Sequence, residues 1–120
     1  MKKILIVEDD KDIAKALTIR LKSCNYQVDT AADVVQGVNH VVNNVPDLIL
    51  LDISIPAGDG FLLAERVKCL PQVGNIPIIF MTANKKPELK KKAEEYGAAA
   101  FFEKPFDSNK LLARIAQLLQ

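Results

Sequence analysis

Cysteine, histidine, excess charge and long apolar runs are all scarce in this chain of 120 residues, and each scarcity removes a class of function. The two cysteines, Cys24 and Cys69, lie far apart with no Cys-x-x-Cys pair, and the single histidine, His40, is not spaced to complete a zinc site with them. They read as structural thiols. With 16 basic against 15 acidic residues the formal net charge is +1, so no global field draws the molecule to nucleic acid or to an anionic membrane. No run approaches the roughly 20 apolar residues of a membrane span. The apolar stretch after Met1-Lys2-Lys3 ends at Val7, too short for a secretory leader. Internal repeats, low-complexity tracts and linkers are also missing. The expectation is one cytoplasmic domain over residues 1–120, large enough to build a core without a metal or disulfide staple.

What is present is an alternation. Three short, nearly continuous apolar runs, Ile4 to Val7, Leu48 to Leu51 and Ile78 to Met81, look like strands buried on both faces of a parallel sheet. Gln27 to Ala31 and Ala99 to Phe102 are weaker candidates that bring the number to five. Between them, helical spacing joins Ile13, Leu17 and Leu21, then Val34, Val38, Val41, Val42 and Val45. A third helix is expected from about Gly60 to Leu70, with Pro71 and Gly74 as its stop. A fourth starts near Pro87, turns Leu89, Ala93 and Tyr96 inward and ends at Gly97. The fifth follows N-cap candidates Asp107 and Ser108 and carries Leu111, Leu112, Ile115, Leu118 and Leu119 on one face. Strands alternating with helices imply an α/β fold, a doubly wound five-stranded parallel sheet with helices on both faces.

In such a sheet the chemistry gathers beyond the C-terminal ends of the strands. Those ends carry Glu8-Asp9-Asp10, Asp52, Thr82-Ala83 and Glu103-Lys104-Pro105. Clustered carboxylates oppose one another's ionisation unless a cation compensates, and an oxygen-only donor set suits Mg2+ better than Zn2+. Asp9 or Asp10 alone reads equally well as a helix N-cap. Asp52 is different, because it ends the apolar run Leu48-Ile49-Leu50-Leu51, where nothing structural asks for a charge. A carboxylate can accept a phosphoryl group as an aspartyl phosphate, a transfer that needs mainly positioning and charge neutralisation. On this reading Asp10 and Asp52 hold Mg2+, Lys104 neutralises one phosphoryl oxygen, the Thr82 hydroxyl donates to another, and small Ala83 leaves the approach open.

Taken together, Ile4-Leu5-Ile6-Val7-Glu8-Asp9-Asp10, Asp47 to Pro56 leading into Gly58-Asp59-Gly60, Ile76-Pro77-Ile78-Ile79 to Thr82-Ala83, and Lys104-Pro105-Phe106 resemble the receiver domain of two-component response regulators. The likeness covers essentially the whole chain, in the manner of single-domain chemotaxis regulators. It implies strand order 2-1-3-4-5, Asp52 as phosphoacceptor, and Asp9 and Asp10 as an acidic pair that holds Mg2+ with Asp52 and the Ser54 backbone carbonyl. It also implies a cis Lys104–Pro105 bond, Thr82 and Lys104 as phosphate-sensing residues, and Thr82 with Phe101 as the switch. At the place of Phe101 the family often has a tyrosine, so here the ring can swing but has no hydroxyl to fix it. The implied function is a signalling switch and not an enzyme, beyond catalysing its own phosphorylation and dephosphorylation. Its phosphoryl donor is a sensor histidine kinase or a histidine phosphotransfer protein. An unknown output protein reads the fourth helix, fifth strand and fifth helix, without direct contact to nucleic acid or membrane.

Rival readings fit less well. An aspartate-nucleophile phosphatase resembles an Asp-x-Asp pattern, which Asp52-Ile53-Ser54 lacks. A flavin mononucleotide site needs hydroxyls and N–H groups in its first loop, where Glu8-Asp9-Asp10 would repel a phosphate. A degenerate receiver used only for docking does not require the intact set of Asp52, Thr82 and Lys104. His40 falls off the valine stripe and reads as a surface residue. Lys85, Lys86, Lys90, Lys91 and Lys92 form the most basic patch, either a solvated face or a site for an acidic partner. No aromatic residues interleave with them, which argues against single-stranded nucleic acid.

Overall fold

In the computed structural model, which describes residues 1–73 and 75–120, every apolar run is a strand. The order is β1 (Lys3–Val7), α1 (Lys11–Ser23), β2 (Gln27–Ala31), α2 (Val34–Asn43), β3 (Leu48–Asp52), α3 (Gly60–Lys68), β4 (Ile78–Thr82), α4 (Pro87–Glu95), β5 (Ala100–Glu103) and α5 (Ser108–Leu118). The strands are all parallel and lie in the order β2-β1-β3-β4-β5.

Small departures from the expected boundaries have local causes. β3 and β4 each run one residue further, because Asp52 pairs with Met81 and Thr82 with Glu103 in the ladder. The same pairing carries β5 from Ala100 to Glu103. α2 stops at Asn43, which leaves Val45 outside and exposed. Val45 precedes Pro46, and a residue before proline is pushed out of helical geometry. α3 stops at Lys68, with Leu70 held in a following turn by its N–H on the Val67 carbonyl. The expected stop at Gly74 lies outside the described residues. Gly97, just past α4, has φ +74, a left-handed conformation that suits glycine and turns the chain toward β5. Cys24 and Cys69, both exposed, sit at the C-caps of α1 and α3.

The two-residue period of the strands sorts the core into two layers. Ile4, Ile6, Leu48, Leu50, Ile79 and Met81 face α1 and α5, packing with Leu17, Leu21, Leu111 and Ile115. Leu5, Val7, Ile49, Leu51, Ile78 and Phe80 face α2, α3 and α4, packing with Val34, Val41, Leu63, Val67 and Ala93. Among the described residues no helix is long and apolar enough to cross a membrane.

Candidate phosphoacceptor site

The same period continues past the strand ends and places the charged groups. Ile4 and Ile6 lead to Glu8, Leu48 and Leu50 to Asp52, and Ala100 and Phe102 to Lys104, all on the side of the sheet that carries α1 and α5. Glu8 is 3% exposed and Asp52 5%. Lys104 bridges them: its Nζ donates to Asp52 Oδ2 at 2.6 Å and to Glu8 Oε1. The other Asp52 oxygen, Oδ1, accepts the Ser54 N–H at 2.9 Å. The Lys104 backbone N–H donates to the Thr82 carbonyl at 2.7 Å, which ties β5 to β4 at this rim. The Lys104–Pro105 bond is cis, as the sequence resemblance implies.

Thr82 ends β4 on the opposite layer. Its side chain is fully buried, and Oγ1 accepts the Asn84 N–H at 3.0 Å. Phe101 is paired in register with Phe80 and packs half-buried against that same layer, so Thr82 and Phe101 lie on one side of the sheet. Ala83 is exposed and lines an apolar hollow with Ile13, Lys104, Pro105 and Phe106, which leaves the site open to an approaching molecule.

The carboxylates that the fold gathers are Glu8, Asp9 and Asp52, where the sequence reading pairs Asp9 with Asp10. Glu8, Asp9 and Asp52 each bring a carboxylate oxygen within 4.8 Å of the others, and Asp10 is not among them. Asp10 is exposed and caps α1, its Oδ1 accepting the N–H groups of Asp12 at 2.9 Å and Ile13 at 3.2 Å. A helix that opens at Lys11 leaves N–H groups to be satisfied, and an aspartate in the N-cap position meets that need. Glu8, by contrast, is still aligned with the strand, its N–H bonded to the Ala31 carbonyl. Strand parity, Ile4-Ile6-Glu8, is the signal that singles it out.

Electrostatics mark the cluster as short of positive charge. Burial, and then the adjoining Asp52 carboxylate, push the Glu8 carboxyl from the usual 4.5 up to about 7, against the pull of Lys104. For Lys104 burial works to lower the pKa, but the hydrogen bonds to Asp52 and Glu8 outweigh it and hold the ammonium above its usual value. Three carboxylates around one ammonium form an all-oxygen, net-negative donor set that fits a hard divalent cation such as Mg2+.

Residues 4–116 match the model of the response regulator receiver domain family. The chain belongs to that family. Over 120 residues it is 37% identical to the response regulator ArlR of Staphylococcus aureus, covering all of this chain and 53% of that protein. It is 35% identical over 120 residues to the DNA-binding dual master transcriptional regulator RpaA of Synechocystis, covering all of this chain and 50% of the relative. The receiver thus spans about half the length of these curated relatives. The solved structure of the non-phosphorylated HemR receiver domain from Leptospira biflexa superposes with a TM-score of 0.89 at 32% identity, covering 100% of this chain and 95% of that one. Family and fold class agree with what the sequence motifs imply.

Proposed function

We propose that this receiver, taken as one unit over residues 1–120, is a cytoplasmic phosphoacceptor switch in which Asp52 carries the phosphoryl group. The observation that supports it most directly is a buried carboxylate at the C-terminal rim of the sheet, held between two further carboxylates and an ammonium. The donor would be the phosphohistidine of a sensor histidine kinase or a histidine phosphotransfer protein. The P–N bond breaks as an Asp52 oxygen forms the new P–O bond, and the electron pair returns to the imidazole nitrogen.

Glu8, Asp9 and Asp52, with the Ser54 backbone carbonyl, would hold Mg2+. Bound there, the ion offsets the carboxylate charge and lets an anionic donor come near. Lys104 already reaches Asp52 and would follow to a phosphoryl oxygen. Thr82 Oγ1 accepts from Asn84, so its own proton remains free to be donated to the phosphoryl group. Drawing that hydroxyl inward vacates space on the Phe80 side, which the ring of Phe101 can fill. The change is read by an output protein on the surface of α4, β5 and α5. Ser54, two residues past Asp52, brings no carboxylate to serve as acid or base, which favours a switch over a phosphatase.

The test is labelling with acetyl phosphate followed by intact-mass spectrometry. One phosphoryl group should add to the wild type only with Mg2+ present, and none to Asp52→Ala. Equal labelling of that variant would remove the assignment.

A further inference from the structure

The lysines of α4 take no part in the site chemistry, and most of them are free. Between residues 85 and 92 stand five lysines against one glutamate, in a chain whose net charge is only +1, so the remainder of the molecule is net negative. Lys92 is occupied, its Nζ lying 4.6 Å over the Phe61 ring of α3. Among the described residues the only ion pairs are those of Lys104, so Lys85, Lys86, Lys90 and Lys91 are exposed cations without an acidic partner. The N-terminus of the helix gains nothing from them. Lys86 occupies the N-cap with no side-chain hydrogen bond, and positive charge at that end opposes the helix dipole. All the other helices begin with an aspartate whose carboxylate caps the first turn. Leu89 and Ala93 turn toward the core and Lys92 toward α3, so by the 100° step of the helix Lys91 points straight out and Lys90 to the flank away from α3.

We infer that this face of α4 docks an acidic segment of a partner protein. Charge complementarity specifies the sign, and the neighbourhood specifies the class. None of the exposed large hydrophobic residues lies on α4, so a membrane would find no side chain to bury. Glu88, Glu94 and Glu95 on the same helix, with the carboxylate cluster at the adjacent rim, bound the patch. A duplex with charge spaced regularly along its backbone would run past the lysines onto them, whereas a few carboxylates on a peptide fit within the patch. That this face is also the output surface rests on the function proposed above; its affinity for an acidic segment does not.

The experiment therefore uses the unphosphorylated chain. A short oligo-glutamate peptide is titrated while amide chemical shifts are followed. The shifts should centre on residues 84–92 and shrink as salt is added. Replacing Lys86, Lys90 and Lys91 together by Ala should weaken binding roughly tenfold, the sum expected of three exposed ion pairs. Lys15→Ala with Lys22→Ala on α1 should leave it unchanged. Shifts centred elsewhere, an undiminished affinity in the α4 variant, or tighter binding of duplex DNA or phosphatidylglycerol vesicles to the same lysines would overturn the inference. Failure here alongside normal Asp52 labelling would leave the phosphoacceptor reading standing.

Discussion

Glu8 and Asp10 sit two positions apart and have opposite fates, one buried in the carboxylate cluster and the other spent on a helix cap. On the function proposed above, that difference separates metal binding from helix stability. A ligand that binds only the folded state stabilises it by mass action. Millimolar Mg2+ should raise the melting temperature of the wild type, and Glu8→Gln should lose most of that rise. Asp10→Ala should keep the rise while lowering the baseline stability by about 1 kcal/mol, the usual worth of an N-cap. Calorimetric melts with and without Mg2+ decide it, and an Mg2+ response that survived in Glu8→Gln would return the ligand role to another residue. Ser54 carries a second residue-scale expectation. It is exposed and too short to orient a water over Asp52, whereas Asn84, two residues past Thr82, is long enough to shield or place one. Ser54→Asn should therefore speed loss of the phosphoryl group, as followed by mass spectrometry over time; unchanged decay would count against a water-placing role at this position.

At the scale of elements, the junction of β3 with α3 leaves no room. Gly60 opens α3 and donates its N–H to the Ile53 carbonyl at 2.8 Å. A Cβ there would stand 2.7 Å from the Asp52 carbonyl oxygen and 2.9 Å from Ile53 Cα, both backbone atoms that cannot rotate away. Gly60→Ala should cost roughly 1–3 kcal/mol, as overpacking does, and should slow phosphorylation by shifting the loop that carries Asp52. Urea unfolding and the labelling rate measure the two effects, and a variant normal in both would show the contact to be relieved elsewhere. The link from β4 into α4 is tested through Thr82. With beryllofluoride as a phosphoryl mimic, amide shifts should extend over residues 83–110, and Thr82→Ala should shrink them. Perturbation confined to the Asp52 loop would exclude the α4, β5 and α5 surface as the readout.

For the molecule as a whole, the acidic rim sets how stability follows pH. Glu8 has a folded-state pKa near 7 against an ordinary 4.5, so between those values the folded protein binds more protons than the unfolded one. Stability of the metal-free protein should accordingly fall as pH rises from about 4.5 to about 7, the cost being complete once Glu8 is ionised. Glu8→Gln keeps an acceptor for Lys104 and removes the charge, so its stability should be flatter across that window. Parallel pH curves for the two proteins would show that Glu8 is not the group responsible.

The alternation of five strands and five helices was legible in the chain, because buried parallel strands and amphipathic helices write their periods into neighbouring residues. So were the chemical types at the rim, since Asp52 and Thr82 each close an apolar run and Lys104 follows one by a single residue. Strand order entered through family resemblance, as apolar periodicity carries no record of which strands pair. Tertiary structure alone decided which acids of Glu8-Asp9-Asp10 meet Asp52. All three follow β1 and any could cap a helix, and the choice depends on where α1 begins and on the register that sets Val7 beside Leu51. It likewise decided that Lys104 spans Glu8 and Asp52, residues 96 and 52 positions away. Such a contact follows from the parallel pairing of distant strands, and no local pattern in the chain encodes it.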